Sequence, residues 1–312
     1  MSENSFVWEQ KYRPRDIESC VLPKHTKALA KQIVKDGQIP NMMFAGSPGT
    51  GKTTLAYAIA NEIDADVLFI NASSESSIDT MRTRIKQFAS TVSLEESPKL
   101  VILDEADGLT PASQGALRGY IEQFETNAHF IMTVNFQNKL IEALHSRLKY
   151  ISFNIPKEER AQIAGEIYKR AQGILEAEGI SYDKKVLQQL VKRYFPDFRR
   201  LISELQTYSV GGEIDNGILA QSADGKIEEV MKLLKNKEWS EMRTWVAENS
   251  DVDFTTLTRA LYDQAHNHVE PKSLPDLVLL IADAQYRRAF VADPEVHTVA
   301  FFTEVMSNVS FK

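Results

Sequence analysis

Gly46-Ser47-Pro48-Gly49-Thr50-Gly51-Lys52-Thr53 fits the pattern G-x-x-x-x-G-K-[ST] and stands between a short apolar run, residues 41–45, and a longer amphipathic stretch, residues 52–63. A strand that runs into such a loop and emerges as a helix is a cradle for phosphates. The loop of Gly46, Ser47, Pro48, Gly49, Thr50 and Gly51 curls round the anion and turns its N–H groups, which every residue but Pro48 has, toward it, and the helix N-terminus adds a favourable dipole. Lys52 is placed to reach the β- and γ-phosphates, Thr53 to offer its hydroxyl to Mg²⁺, and Thr54 to extend the cradle into the helix. ATP and Mg²⁺ are therefore the expected cofactors.

The pattern continues on both sides of the loop. Short apolar runs at 41–45, 66–70, 99–103, 129–134 and 149–153 read as strands, separated by helices at 52–63, 78–90 and 111–124. That alternation predicts an α/β fold with a parallel five-stranded sheet sandwiched by helices. Val101-Ile102-Leu103 ends in Asp104-Glu105, two carboxylates expected on opposite sides of the pleat, one toward a metal and one toward a water. Asp104 is assigned to Mg²⁺ and Glu105 to activating the attacking water. The next apolar strand closes on Thr133-Val134-Asn135, which puts an amide within reach of the γ-phosphate or that water. Asp104-Glu105-Ala106-Asp107 also spells the DEAD-box helicase signature, but no Ser-Ala-Thr motif follows it.

Past Pro156 the strand signal disappears. Ile163, Ile167, Ala171, Ile174 and Leu175 recur at helical spacing, as do Val186, Leu187, Leu190, Val191 and Tyr194, and predict a small helical domain. Val210-Gly211-Gly212 and Ala223-Asp224-Gly225 are candidate breaks. Ile227, Val230, Met231 and Leu234 then mark the packing face of a last helical block. The expected domains are 1–155, 156–224 and 225–312.

Composition narrows the function. With 312 residues, 43% of them hydrophobic, the chain has material for two or three packed cores and is no disordered segment. Its longest apolar runs, such as Leu277-Val278-Leu279-Leu280-Ile281-Ala282, fall far short of the ~20 residues of a spanning helix, and no membrane is expected. One cysteine, Cys20, allows no internal disulfide and suits a reducing, cytoplasmic setting. The charge of −7 divides as 16 basic and 18 acidic residues up to Ile155, then 20 and 25. Neither part is basic, so any nucleic acid would be held by a few placed residues rather than by bulk charge.

Several further stretches resemble the AAA+ ATPases, and within them the clamp-loader (replication factor C-like) subunits, over most of residues 8–208. Trp8-Glu9-Gln10-Lys11-Tyr12-Arg13-Pro14 is similar to the W-x-E-K-Y-R-P opening of that family, which lies over the adenine and so implicates Lys11, Tyr12 and Arg13. Asn71 to Asp79 with Arg82 resembles N-A-S-D-E-R-G-I-D-x-V-R. Residues 110–122, containing Ala116-Leu117-Arg118, are similar to the helix after the acidic strand. His145-Ser146-Arg147 resembles S-R-C, whose arginine is a finger into the neighbouring subunit's ATP site, with Leu148 in place of the cysteine. Pro196-Asp197-Phe198-Arg199 resembles G-D-x-R, which makes Arg199 the lid sensor of phosphate, with Arg200 adjacent as the alternative. Ser76 stands where related subunits carry a DNA-contacting arginine, and residues 15–20 depart from the family's valine-glycine-glutamine. The register and the short C-terminal block look most like the clamp-loader large subunits of T4-like phages.

The resemblance implies a DNA-stimulated, Mg²⁺-dependent ATP hydrolase that opens a sliding clamp on binding ATP and closes it on primer–template DNA on hydrolysis. It would work as a hetero-pentamer of four copies and one divergent subunit, held by a C-terminal helical collar, in a host's cytoplasm if viral. Ser76, Arg82, Arg84 and Lys86 are candidate DNA contacts, the last three equally readable as a solvated helix face. Gln114 is either a coupler of DNA contact to Glu105 or a polar surface residue, and residues 110–119 are the expected clamp-facing region. Two alternatives differ in class. A non-hydrolysing AAA+ scaffold would not need Lys52, Thr53, Asp104, Glu105, Asn135 and Arg147 together, and a branch-migration or helicase motor would need gripping loops that the aromatic-free segment 90–98 does not offer.

Overall fold

A computed structural model describes residues 6–37, 39–74, 78–91, 97–214, 223–250 and 252–312, with backbone only at 78–79 and 223–225. The chain divides into two compact units, Met1–Ile214 and Asp215–Lys312.

The first unit is built on five parallel strands, β1 (Met42–Ala45), β2 (Asp66–Asn71), β3 (Lys99–Asp104), β4 (His129–Val134) and β5 (Lys149–Ser152), in the order β2-β3-β4-β1-β5. The three inner strands are buried on both faces, which is why they read as unbroken apolar runs. Their side chains still alternate with the pleat. Met42, Phe44, Leu100, Ile102 and Ile131 face one layer, shared with Ile33 of α2 (Lys24–Asp36) and Leu55 and Ile59 of α3 (Lys52–Glu62). Met43, Ala45, Val101, Leu103, Phe130 and Met132 face the other, shared with Met81 and Ile85 of α4 (Ile78–Ser90) and Leu117 and Ile121 of α5 (Pro111–Gln123). The register sets Ala45 beside Val134 and Asn71 beside Asp104. The strand C-termini, where ligands bind in open parallel sheets, thus gather the phosphate loop, Asp104 and Asn135 along one edge.

A short N-terminal helix, α1 (Trp8–Lys11), lies on the helical part of the same unit: Gln206 Oε1 accepts from Trp8 N (3.0 Å) and Gln206 Nε2 donates to Phe6 O (2.7 Å). After the four-residue helix α6 (Glu142–His145) and β5 come α7 (Arg160–Ala177), α8 (Lys184–Tyr194) and α9 (Phe198–Ser209). Each apolar position expected at helical spacing in α7 and α8 is buried. Asp183 and Asp197 cap α8 and α9 by accepting from Lys185 N (2.6 Å) and Arg200 N (3.0 Å). The expectation of no strand past Pro156 is corrected by a two-residue parallel pair, β6 (Ser181–Tyr182) with β7 (Glu213–Ile214). Two residues are too few to leave a period of two in a sequence.

The second unit is helical: α10 (Ala223–Asn236), α11 (Trp239–Glu248), α12 (Phe254–His268), α13 (Leu274–Arg288) and α14 (Pro294–Asn308). Ile227, Val230, Met231 and Leu234 pack as expected into its core, against Trp245, Leu261, Phe301 and Phe302. The break expected at residues 223–225 is instead the first turn of α10, where the N–H groups lack helical partners in any case and glycine costs little. No helix among the described residues is long and apolar enough to cross a membrane.

Candidate nucleotide site

The phosphate loop leaves β1 at Gly46 and enters α3 at Lys52. Gly49 and Gly51 take φ of +71° and +91°, left-handed values that an L side chain resists. At Gly49 space forbids one as well, since a Cβ would lie 1.8 Å from Asp197 Oδ1. Lys52 is buried, and its ammonium donates to Gly46 O (2.7 Å), Ser47 O (2.8 Å) and Asn135 Oδ1 (2.8 Å). Burial nevertheless pulls its pKa down to about 8, against the nearby Asp104 carboxylate, because taking an ammonium out of water disfavours its charged form.

Three hydroxyl and carboxylate groups converge beside it. Asp104 Oδ1 accepts from Thr53 Oγ1 (2.6 Å) and from Thr133 Oγ1 (2.6 Å), and Thr133 Oγ1 in turn accepts from Glu105 N (3.1 Å). Asp104 is the last residue of β3, whereas Glu105 has φ +56°. This corrects the expectation of two carboxylates alternating on a pleat: a left-handed turn, not the pleat, separates them. The turn carries Glu105 to Ser73, whose Oγ lies 2.5 Å from Glu105 Oε2 and 2.7 Å from Asn71 Oδ1 with one proton for the two. Asp107 fixes the neighbouring strand end by accepting from Asn135 N (3.3 Å) and Phe136 N (3.2 Å).

One cavity gathers most of the expected residues. Tyr12, Arg13, Pro48, Gly49, Thr50, Gly51, Lys52, Thr53, Thr54, Asp104, Glu105, Asn135 and Arg199 all line it. Gly46 and Ser47 serve through the carbonyls that hold Lys52. Lys11 is not in the cavity, a correction: it forms an ion pair with Glu178 (2.7 Å), which Tyr12 Oη also reaches at 2.6 Å. Helix α1 ends at Lys11, and the chain beyond it turns Tyr12 and Arg13 to the cavity. Of the two adjacent arginines Arg199 lines the cavity, while Arg200 lies over the Tyr194 ring (5.5 Å) and faces Glu204 (3.9 Å). Arg147 is outside it, ion-paired with Glu122 and donating to Ala143 O (2.8 Å).

The remaining candidates separate on α4. Arg82 and Lys86 are exposed four residues apart, hence on one face. Arg84 donates to Phe69 O (3.1 Å) and so braces β2. Ser76 lies outside the described residues. Gln114 is not a surface residue. Its side chain is buried, donates to Leu109 O (3.0 Å) and Lys139 O (3.1 Å), and accepts from Ile141 N (2.8 Å).

Sequence reasoning missed the apolar end of the cavity, formed by Val21, Leu22 and Pro23 with Ile163, Ile167 and Ile202 of the helical part. Arg170 ties that end together by donating to Tyr12 O (2.8 Å) and Ser19 O (2.9 Å). The helical pattern gave Ile163 and Ile167 only as core, and it did not single out Ile202. Cys20 lines the same end, and burial pushes its thiol up to about 12, which makes it inert. Chemically, the site offers an apolar end, a run of backbone N–H groups, the cations of Lys52, Arg13 and Arg199, and the Thr53–Asp104 hydroxyl–carboxylate pair. Among the described residues no group of three or more His, Cys, Asp or Glu is placed to hold a metal ion.

Residues 42–155 match the model of the ATPase family associated with various cellular activities (AAA), and residues 159–220 match that of the sliding-clamp-loader large subunit, AAA+ ATPase lid domain. The sliding-clamp-loader large subunit of Enterobacteria phage T4 is 34% identical over 319 residues, covering 100% of this chain and 99% of its own. The same subunit of Escherichia phage RB69 is 33% identical, again over 100% and 99%. The replication factor C small subunit of Thermofilum pendens is 32% identical over 98% of this chain and 97% of its own. Among solved structures, the RuvB Holliday junction branch migration motor of Thermotoga maritima superposes with a TM-score of 0.56 over 83% of this chain and 93% of its own. At 15% identity it shares the fold alone.

Proposed function

Because the chain belongs to the family of sliding-clamp-loader large subunits within the AAA+ ATPases, we propose that it is the ATPase subunit of a replication clamp loader. Binding of ATP would favour the assembly that opens a sliding clamp, and hydrolysis triggered by primer–template DNA would let the clamp close. What carries this reading is a site with a phosphate loop, a metal-side carboxylate and a water-side carboxylate together, in a chain alike from end to end to loader subunits.

In this reading the loop N–H groups and Lys52 take the polyphosphate, and Thr53 and Asp104 would hold Mg²⁺, which would supply charge neutralisation for the transferred phosphate. Asn135, already hydrogen-bonded to Lys52, orients the terminal phosphate. Glu105 accepts the proton of the attacking water, which requires its carboxylate to leave Ser73. Arg199 senses the phosphate from the lid, taken as residues 156–224. Arg147 lies outside the cavity of its own chain, which supports its use in a neighbour's site, and its pair with Glu122 holds it ready. Residues 225–312 act as the collar of an assembly of four copies and one divergent subunit. Arg82 and Lys86 face the DNA phosphates, and the protein works in the cytoplasm. The scaffold reading leaves Glu105 and Arg147 without a purpose, and the motor reading rests on fold likeness alone.

The test is steady-state ATP hydrolysis with and without primer–template DNA, using Lys52→Ala, Arg147→Ala and their mixture. Each variant alone is expected to lose at least tenfold in rate. The mixture should recover part of it, because a Lys52-intact site then faces an Arg147-intact neighbour. Full activity of Arg147→Ala alone, or hydrolysis indifferent to DNA, would sink the proposal.

A further inference from the structure

Glu9 is the one acidic residue that α1 brings to the cavity, and the family-like motif around it gives it no role. Its carboxylate Oε2 lies 3.6 Å from Arg199 Nε, an ion-pair distance slightly beyond a hydrogen bond, and both residues line the cavity that contains Lys52. We propose that Glu9 is the resting counter-ion of Arg199, which ATP must displace, so that this carboxylate sets how strongly the lid distinguishes a triphosphate from a diphosphate. The inference rests on the reading of Arg199 as the phosphate sensor.

Two features make the pair a competitor of the nucleotide rather than a fixed brace. Neither side chain is locked away: Arg199 is 54% exposed and Glu9 33% exposed, so the pair is open to solvent and easily given up. The backbones that carry it, by contrast, are tied together. Through Gln206, α9 accepts from Trp8 N (3.0 Å) and donates to Phe6 O (2.7 Å), and Glu178 of the helical part takes both Lys11 and Tyr12. With α1 and α9 fixed to one another, Arg199 would change partner by turning its own side chain, from Glu9 toward the phosphate loop that lines the same cavity.

Charge supplies the reason for such a partner. Lys52, Arg13 and Arg199 share one cavity, and the field of Arg199 is among the influences that loosen the proton on Lys52. Glu9 offsets that repulsion while no phosphate is present. A triphosphate, with a terminal phosphate to offer Arg199, must break the pair in order to recruit it. A diphosphate leaves Arg199 where it is and does not bear this cost.

Equilibrium binding of ATPγS and of ADP to the full chain, as wild type, Glu9→Gln, Arg199→Gln and the double variant, tests this. Glu9→Gln is expected to tighten ATPγS about two- to fivefold, the range of an exposed ion pair, and to leave ADP unchanged. In the Arg199→Gln background the gain should vanish, because the competitor then has nothing to release. Equal gains for both nucleotides, a gain that persists without Arg199, or no gain at all would each overturn the inference while the sensor reading stands. If Arg199→Gln itself leaves ATPγS affinity unchanged, the sensor reading fails, and the role of Glu9 with it.

Discussion

Lys52 is surrounded by acceptors and still holds its proton loosely. Three oxygens satisfy its three N–H bonds, yet burial leaves its pKa at about 8, below the ordinary 10.5. The sign of the consequence follows from that order. A charged Lys52 costs the empty fold stability below pH 8, and the cost is relieved as pH rises from 8 toward 10.5. A polyphosphate favours the charged form, so ATP binding above pH 8 must draw in a proton. ATP affinity should therefore be flat from pH 6.5 to 7.5 and fall above about 8, approaching tenfold per pH unit. Calorimetry at pH 8.5 in two buffers of different ionisation heat should show proton uptake, and a flat affinity profile to pH 9.5 would contradict this account. The role of Lys52 was legible because its motif is local and contiguous. Glu9 and Arg170 were not, since each acts across more than 150 residues on partners, Arg199 and Tyr12, that only the packing of α1 and α7 brings near.

Among elements, the sheet was legible because its inner strands are buried on both faces, and burial is what an apolar run records. Helix α1 and the pair β6–β7 are too short to carry a period, and α2, although amphipathic, opens after Pro23 with no side-chain cap to announce it. The least legible element is the segment from Asn135 to Arg147, because its order comes from α5. Gln114 supplies three hydrogen bonds to it and to the turn before α5, at Leu109, Lys139 and Ile141. Leaving buried groups unpaired costs about 1–3 kcal/mol each. Gln114→Ala should accordingly lose roughly 3 kcal/mol against urea, allowing for partial rehydration of the exposed carbonyls, and should lower ATP hydrolysis because Asn135 and Arg147 stand at the two ends of the loosened segment. Gln114→Leu, which fills the volume without the hydrogen bonds, should be little better. A leucine variant of wild-type stability and activity would show that packing, not the amide, orders this segment.

At the scale of the whole molecule, the apolar run from Leu277 to Ala282 is worth more as a helix than as a count of hydrophobic residues. Along α13 the core takes Leu277, Ile281 and Ala284. That face would suffice to anchor the helix, yet Val278, Leu279, Tyr286 and the following Phe290 remain 42%, 68%, 71% and 77% exposed, with the last two rings in edge contact at 5.7 Å. A run of this kind serves two faces at once, and a sequence read for a single packing stripe cannot tell the surplus from the core. Scattered exposed apolar residues need no explanation, but a line of them along one helix marks a contact. If Arg147 completes a neighbour's site as proposed above, the fitting occupant is another copy of the same unit, which would pack against α13 and keep copies together after ATP is spent. Leu279→Glu combined with Tyr286→Glu should then shift the protein toward monomer in sedimentation velocity at low micromolar concentration and abolish DNA-stimulated hydrolysis. ATP binding by the monomer and its melting temperature should hardly move, because neither side chain supports the core. Were the variant to unfold, the two residues would belong to the core after all; were it to assemble and hydrolyse normally, the contact between copies would have to lie on another face.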